Sequence, residues 1–158
     1  MTAETVIATR AAATFPVHQS HVSGTMSCAY GTYAVSAAVE DGDIFQMCKV
    51  PKGATVVGGY FHAEDLDTGG EAIDFMLGWA ANGTDAADPN GLLLATVMTG
   101  DISVHLDIAS TWMPLQGVMT ATGPKTFAAE TTIQAEVNTA ATTFAAGQIS
   151  LIVYYIQS

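Results

Sequence analysis

The sequence predicts an all-β fold, a single jelly-roll-like β-sandwich of about eight strands with an extended N-terminal arm. Three observations predict this fold. Short segments alternate apolar and polar residues with the period of a strand, and turn sequences rich in Gly, Pro and Asp separate these segments. No stretch keeps the helical period of about 3.6 residues over about three turns. The length of 158 residues fits one domain, which we divide into an arm, residues 1–28, and a sandwich, residues 29–158.

The alternation of apolar and polar residues defines the individual strands. The clearest case is residues 73–79, in which every second residue is large and apolar. Gly58 and Gly59 interrupt another strand and indicate a bulge or a close backbone approach. Residues 92–99 fit a strand and a short helix equally well. The predicted strands are residues 5–9, 33–39, 44–50, 54–62, 73–79, 102–108, 112–120, 131–137 and 148–157.

Turn sequences connect these strands. Asp41-Gly42 lies between two apolar runs and predicts a hairpin that joins residues 33–39 to residues 44–50. Pro51-Lys52-Gly53 and Gly123-Pro124-Lys125 are turn sequences because proline fixes φ and glycine tolerates positive φ. The second polar loop, residues 82–91, closes on a sequence typical of a type I turn at residues 88–91.

The last predicted strand is apolar on both faces. Ile149, Leu151, Val153 and Tyr155 form one face, which is expected to face the core. The other face carries Ile152, Tyr154 and Ile156. A strand that is apolar on both faces has to be covered on both. We therefore predict a subunit interface at Ile152, Tyr154 and Ile156.

The charge composition excludes one class of function and favours another. Only 12% of the residues are charged, and 15 acidic against 4 basic residues give a formal net charge of -11. Nucleic-acid binding needs clustered Lys and Arg to neutralise phosphates, so no nucleic-acid partner is expected. The surface is short of charge and must be covered by small neutral residues instead. Such a surface is typical of a protein that is covered by neighbouring subunits in an assembly.

Neither a membrane nor a disulfide framework is expected. No segment approaches the roughly 20 apolar residues of a spanning helix, and the N-terminus lacks the basic start and apolar stretch of a signal peptide. Cys28 and Cys48 show no metal-type spacing. Buried free thiols are the favoured interpretation of both cysteines, because free Cys is among the most buried residue types. A disulfide between them stays open at this stage.

The motifs that suggest metal chemistry are incomplete. His18 and His21 lack further ligands nearby, whereas a closed zinc site needs four. The loop that starts at Asp65 resembles the start of an EF-hand, but Gly69 and Met76 stand where the fifth and twelfth ligands belong. The acids of this loop and of residues 82–91 are interpreted as solvated. We predict no metal and no cofactor.

No catalytic constellation is recognisable either, and no enzyme is predicted. His62 and Glu64 are the only pair that resembles part of a cupin metal site, and no Gly-x-Ser-x-Gly elbow exists. Trp79 and Tyr155 lie in apolar registers and are expected in the core, whereas Trp112 is expected to be exposed. An alternative function is therefore a carbohydrate- or receptor-binding module that uses Trp112 and the acidic loops at residues 64–71 and 82–91. A hydrolase with an acid pair that the sequence does not single out is a third possibility.

Several segments together resemble small virion proteins of tailed bacteriophages, in particular capsid decoration (cement) proteins. These segments are VPKGATV at residues 50–56, LDTG at 66–69, IDFMLGW at 73–79, TTIQAEV at 131–137 and AAGQISLIVYY at 145–155. The resemblance implies a jelly-roll-like homotrimer, made in the host cytoplasm, on the outer capsid surface of the virion. It also implies that the major capsid protein is the partner and that no residue is catalytic.

This resemblance assigns a role to the few basic residues. We expect Arg10, Lys49 and Lys52 to contact an acidic capsid surface. An arm of about 25 residues could reach a neighbour tens of ångströms away, since extended chain spans about 3.3 Å per residue. Many weak contacts would then act together to stabilise the shell through avidity.

Overall fold

The computed structural model describes residues 4–8, 11–12, 25–69, 72–93, 113–114 and 123–157. These residues form ten strands in two sheets, which face each other as a sandwich. The strands are β1 (Thr5–Ile7), β2 (Met26–Val35), β3 (Ile44–Val50), β4 (Ala54–Ala63), β5 (Asp74–Trp79), β6 (Asp88–Leu93), β7 (Met113–Pro114), β8 (Lys125–Thr126), β9 (Thr131–Thr139) and β10 (Gly147–Gln157).

The chain passes back and forth between the two sheets. Sheet 1 has the order β1-β3-β9-β5-β6, and sheet 2 has the order β2-β10-β4-β7, with β8 also paired to β4. All the strand pairs are antiparallel except β1 with β3. The first five strands alternate between the sheets, so strands that follow each other in sequence among these five are not neighbours in a sheet. The predicted all-β, jelly-roll-like sandwich is confirmed.

The core lies between the sheets and is built from the inward residues of each strand. A row of aromatic rings crosses it from one sheet to the other: Tyr33 contacts Phe45 at 5.3 Å between ring centroids, and Phe75 contacts both Phe45 at 6.1 Å and Phe61 at 5.5 Å. Tilted rings at such distances attract each other beyond the burial of their apolar surface. Trp79 and Tyr155 are buried, as the apolar registers predicted.

Several predicted strands are confirmed. The alternation at residues 73–79 forms β5, and residues 131–137 belong to β9 with Ile133, Ala135 and Val137 fully buried. The short strand predicted at residues 5–9 is β1. The register between β10 and β4 shifts opposite Gly58, so the predicted bulge is present as well.

The predicted hairpin at Asp41-Gly42 is wrong. β2 ends at Val35 and pairs with β10 in sheet 2, whereas β3 pairs with β1 and β9 in sheet 1. The local turn chemistry is nevertheless present, because Gly42 has a φ of 86°. A turn of this kind reverses the chain, but here it carries the chain across the sandwich instead of along one sheet.

Residues 88–91 do not form the predicted type I turn but begin strand β6. Two glycines allow β6 to approach β5 closely. A Cβ on Gly78 would lie 1.8 Å from the carbonyl oxygen of Asp88, and a Cβ on Gly91 would lie 2.3 Å from the ring of Trp79. The glycine of the Pro-Asn-Gly sequence therefore allows β6 to pack closely on β5 and does not form a turn. Close approach of another part of the chain is a known reason for glycine within a strand.

The cysteines are not paired, and only one of them is buried. Cys48 lies in the core, where burial raises the pKa of its thiol to about 12. Cys28 is exposed, so the prediction of two buried thiols is wrong for this residue. Cys28 points away from the core because β2 alternates, and its inward positions are Ala29 and Gly31.

Some predictions lie outside the described residues. They are the strand at residues 102–108, most of the strand at 112–120, the exposure of Trp112 and the histidines His18 and His21. Of residues 92–99, Leu92 and Leu93 are described and end strand β6. The division at residue 28 stays a prediction. Within the described ranges, no helix is long and apolar enough to cross a membrane.

Candidate interaction surface

Among the described residues, the three long strands of sheet 2 carry no charged side chain on their outer face. These strands lie side by side, with β10 in the centre between β2 and β4. None of the outward-facing residues described on these strands is Asp, Glu, Lys or Arg. We call this surface the neutral face. It consists of Met26, Cys28, Tyr30, Thr32 and Ala34 on β2, Gln148, Ser150, Ile152, Tyr154 and Ile156 on β10, and Thr55, Val57, Gly58, Tyr60 and His62 on β4.

The neutral face also holds most of the exposed apolar side chains that the structure describes. Met26 is 62% exposed, Tyr30 44% and Tyr60 41%. The strand register places Tyr30 and Tyr60 on either side of Ile152, so the three side chains form one row across the sheet. Tyr60 also meets the ring of Tyr154 edge-on at 6.2 Å between centroids. Exposed apolar patches of this kind mark interaction sites on soluble proteins.

The three residues predicted as a subunit interface lie in the middle of this face. Ile152, Tyr154 and Ile156 are half-buried, because their neighbours on β2 and β4 cover their flanks. The sequence showed them because β10 is apolar on both faces. It did not show Tyr30 and Tyr60, whose strands carry few apolar outward residues. Their contribution depends on strand pairing, which the local pattern does not contain.

The predicted capsid-contact lysines lie elsewhere. Lys49 is on the outer face of sheet 1, where its Nζ forms an ion pair of 3.1 Å with Glu130. Lys52 is exposed in the turn between β3 and β4. The structure thus brings Lys49 and Lys52 to one end of β3 and separates them from the neutral face. Arg10 lies outside the described residues.

The fourth basic residue, Lys125, stabilises the fold. Its Nζ forms an ion pair of 2.9 Å with Asp85 and lies 5.4 Å from the ring centroids of both Trp79 and Phe127. Asp85 also accepts hydrogen bonds from Asn82 Nδ2 at 2.9 Å and from the Ala128 backbone at 3.0 Å. The hydrogen bonds from Asn82, Lys125 and Ala128 lower the pKa of Asp85 to about 2. The central acid of the loop at residues 82–91 is therefore engaged by the chain itself.

Asp67 occupies the centre of the other acidic loop, and it is not solvated. It is 2% exposed, and its two carboxylate oxygens accept hydrogen bonds from four backbone N–H groups. The donors are Gly69 at 3.1 Å, Ala72 at 2.9 Å, Thr142 at 2.8 Å and Thr143 at 2.8 Å. Burial alone would raise the pKa of Asp67, but the four donors hold it well below its usual range. The interpretation of this acid as solvated is wrong, because it ties two distant loops together.

The other residues considered for chemistry do not converge. Glu64 accepts a hydrogen bond of 2.8 Å from the backbone of Gln148, and His62 points to the neutral face. Among the residues that the structure describes, no group of three or more His, Cys, Asp or Glu side chains is arranged to hold a metal ion.

No protein-family model matches the sequence, and no curated protein matches it. Solved structures show the same fold. A chain in the capsid of Ralstonia phage GP4 is similar with a TM-score of 0.76 and 20% identity, over 98% of both chains. A chain in the capsid asymmetric unit of cyanophage Pam1 is similar with a TM-score of 0.67 and 21% identity, over 92% of this chain and 94% of that one.

A third similar chain comes from the acid-stable capsid of Helicobacter pylori bacteriophage KHP30, with a TM-score of 0.56 and 16% identity. The similarity covers 85% of this chain and 90% of that chain. All three matches run over most of both chains, so the fold is shared as a whole and the matched chains are of similar length. At these identities the comparisons define the fold class, a sandwich that occurs in phage capsids.

Proposed function

We propose that this chain is a structural, non-enzymatic protein of a bacteriophage virion. In this proposal it decorates the outer capsid surface as a homotrimer, bridges neighbouring major capsid proteins and stabilises the shell. The observation that carries the proposal is the end-to-end similarity to chains of three phage capsids, which covers 85% or more of each chain. The absence of clustered basic residues in the sequence also agrees with a partner that is protein and not DNA.

The neutral face supports contact between copies of the chain. Two copies with a formal net charge of -11 each repel one another through their charged surfaces. The neutral face presents no Asp or Glu among its described residues, so two copies can meet there without opposing like charges. Apolar side chains of Met26, Tyr30 and Tyr60 are exposed on it and gain from being covered. We therefore assign the subunit interface to this face, with Ile152, Tyr154 and Ile156 at its centre.

The lysines support a second, separate contact. Lys49 and Lys52 lie at one end of β3, away from the neutral face. A protein that bridges capsid subunits needs one surface for its own copies and another for the shell. We assign the shell contact to the end that carries Lys49 and Lys52, together with Arg10. Three such contacts in one trimer would bind the shell far more tightly than one, because the second and third contacts are intramolecular.

The test uses one substitution on the neutral face and a matched control. Ile152→Asp places a carboxylate in the middle of the proposed interface, and a buried unpaired charge costs several kcal/mol, so the trimer should dissociate at least about a hundredfold more readily. Asn90→Asp adds the same charge at an exposed position of β6, which is separated from β3 by two strands of sheet 1, and should leave the trimer intact. Light scattering gives the mass of each variant, and sedimentation with emptied capsids gives its binding.

Loss of both trimer and capsid binding in Ile152→Asp, with Asn90→Asp unchanged, is the expected result. A wild-type chain that is monomeric and does not sediment with capsids would contradict the proposal. A wild-type monomer that does sediment would refute the trimer and leave the decoration role in place.

A further inference from the structure

A small cleft opens between the two sheets near β1, outside the surfaces assigned above. Its volume is about 80 Å³. The inner wall is aromatic, formed by Tyr33 of β2 and Phe45 of β3, whose rings lie 5.3 Å apart at 57°. Residues 36–39 line the rest of the cleft together with Glu4 and Asp43.

The acidic side of the cleft is held in place by hydrogen bonds. Asp43 accepts one of 2.6 Å from the backbone N–H of Glu4 and one of 2.8 Å from that of Glu40. Both donors are neutral backbone groups. The cleft thus combines an aromatic wall with two acidic residues, Glu4 and Asp43, and none of the described residues that line it is basic.

The same combination of aromatic rings and a carboxylate occurs elsewhere in this chain, where the chain's own Lys125 is the cation. Around Lys125, the rings of Trp79 and Phe127 lie 5.2 Å apart at 77°, and Asp85 supplies the carboxylate at 2.9 Å. The ammonium group lies 5.4 Å from each ring centroid, within the range in which cations are attracted to aromatic faces. The arrangement at Tyr33 and Phe45 has the ring pair and the acids, but the described residues that line the cleft supply no cation.

The size of the cleft limits the occupant. Small-molecule sites have volumes of about 300 Å³ or more, so a cleft of about 80 Å³ is too small for a sugar or a cofactor. It is large enough for the end of one side chain. We infer that the cleft binds an arginine or lysine side chain of the protein that this chain contacts in the particle. The partner in this inference rests on the proposed function, whereas the preference of the cleft for a cationic side chain does not.

The first experiment measures the cleft alone. The wild-type protein is titrated with N-acetylargininamide, and the amide resonances of residues 33–45 are followed by NMR. The neutral analogue N-acetylcitrullinamide, which has nearly the same shape, is the control ligand. We expect saturable shifts with the arginine compound only, with a dissociation constant in the millimolar range, as one weak contact provides. Equal shifts with both compounds, or none with either, would overturn the inference.

Variants then locate the binding. Glu4→Gln removes one charge beside the cleft, and Tyr33→Leu removes the aromatic face; each should weaken binding of N-acetylargininamide by about threefold. Asp88→Asn removes one charge on β6, at the edge of sheet 1 opposite β1, and should have no effect. If Tyr33→Leu does not fold, Glu4→Gln decides the outcome alone, because Glu4 is exposed. Unchanged binding in Glu4→Gln would refute the role of the acidic side.

The second experiment identifies the source of the cation. Binding of the same variants to emptied capsids is measured by sedimentation. If the wild-type chain binds and Tyr33→Leu and Glu4→Gln bind several-fold more weakly than Asp88→Asn, the side chain belongs to the capsid. If all variants bind equally, the partner in this inference is wrong while the proposed function stands. If the wild-type chain itself does not bind, the proposed function fails, and the NMR titration still decides whether the cleft takes a cation.

Discussion

The buried carboxylate of Asp67 provides a quantitative test of how this sandwich is held together. Asp67 lies in the connection between β4 and β5, and two of its four donors belong to the connection between β9 and β10. One side chain therefore links two loops that are about 75 residues apart in sequence. Asp67→Asn keeps the size of the side chain but leaves a single acceptor oxygen.

The cost of this substitution follows from the hydrogen bonds. Each carboxylate oxygen accepts two backbone N–H groups, one from each loop. The amide group of asparagine turns one of these oxygens into a donor, so two bonds to a charged group are lost and two buried N–H groups face an NH₂ group. Hydrogen bonds to charged groups contribute about 1.5–3 kcal/mol each, which gives a destabilisation of about 3–6 kcal/mol. Because Asp67 is 2% exposed, water does not replace the lost partners.

The pH dependence gives the same reasoning a second test. The pKa of Asp67 is lower in the folded protein than in the unfolded chain, where it is about 3.9. Its contribution to stability is therefore complete above about pH 4 and is lost as the pH falls toward the folded pKa. The difference in unfolding free energy between wild type and Asp67→Asn should be constant from pH 7 to about pH 5 and should shrink below about pH 4.

The assay is urea unfolding at pH 7, 5 and 3.5, with the fluorescence of the buried Trp79 as the signal and one protein concentration throughout. Asp65→Asn is the matched control. It makes the same change in charge two residues away, and Asp65 accepts only the backbone N–H of Asp67 among the hydrogen bonds described. The control should cost less than about 1 kcal/mol. A loss below about 1 kcal/mol for Asp67→Asn, or a difference that does not change down to pH 3.5, would refute the reasoning.

Three further predictions concern close packing, a partly buried ion pair and thiol exposure. Gly31→Ala should destabilise the fold by about 1–3 kcal/mol, because the new Cβ would lie 1.9 Å from a backbone carbonyl oxygen of β3; an unchanged melting temperature would speak against this close approach. Lys125→Met should cost about 1–3 kcal/mol in thermal unfolding, since it leaves the partly buried Asp85 without its cation, and retention of full stability would contradict that. Thiol labelling should modify Cys28 slowly in the proposed trimer and rapidly in the Ile152→Asp variant, and Cys48 only on unfolding; equal rates for Cys28 would exclude it from the interface.

The strand pattern of the sequence predicted the fold class, but the pairing of strands depends on contacts that are distant in sequence. The alternation at residues 73–79 was sufficient to identify β5 and its buried side, because each inward residue there is large and apolar. The hairpin prediction at Asp41-Gly42 failed because the local sequence does not determine which strands pair. Turn chemistry describes how the chain reverses, and it does not say that β2 continues in sheet 2 while β3 enters sheet 1.

Only part of the neutral face could be predicted from the sequence, because strand pairing brings the rest of it together. β10 is the central strand of sheet 2 and carries apolar residues on both faces, so Ile152, Tyr154 and Ile156 were visible from one segment alone. Tyr30 and Tyr60 join them through the register of three strands. The structural role of Asp67 could not be predicted either. Its local sequence suggests a cation-binding loop, and only the fold brings the backbone N–H groups of Thr142 and Thr143 to its carboxylate.

The stability of the capsid itself tests the central claim most directly. Emptied capsids are heated with and without a saturating amount of the purified chain, and the temperature at which the shell breaks is measured by light scattering. A decoration protein that bridges capsid subunits binds the intact shell and not its separated subunits, so it should raise this temperature by several degrees, in a manner that saturates at a fixed number of chains per capsid. An unchanged breaking temperature at a concentration at which the chain demonstrably coats the shell would contradict the stabilising role.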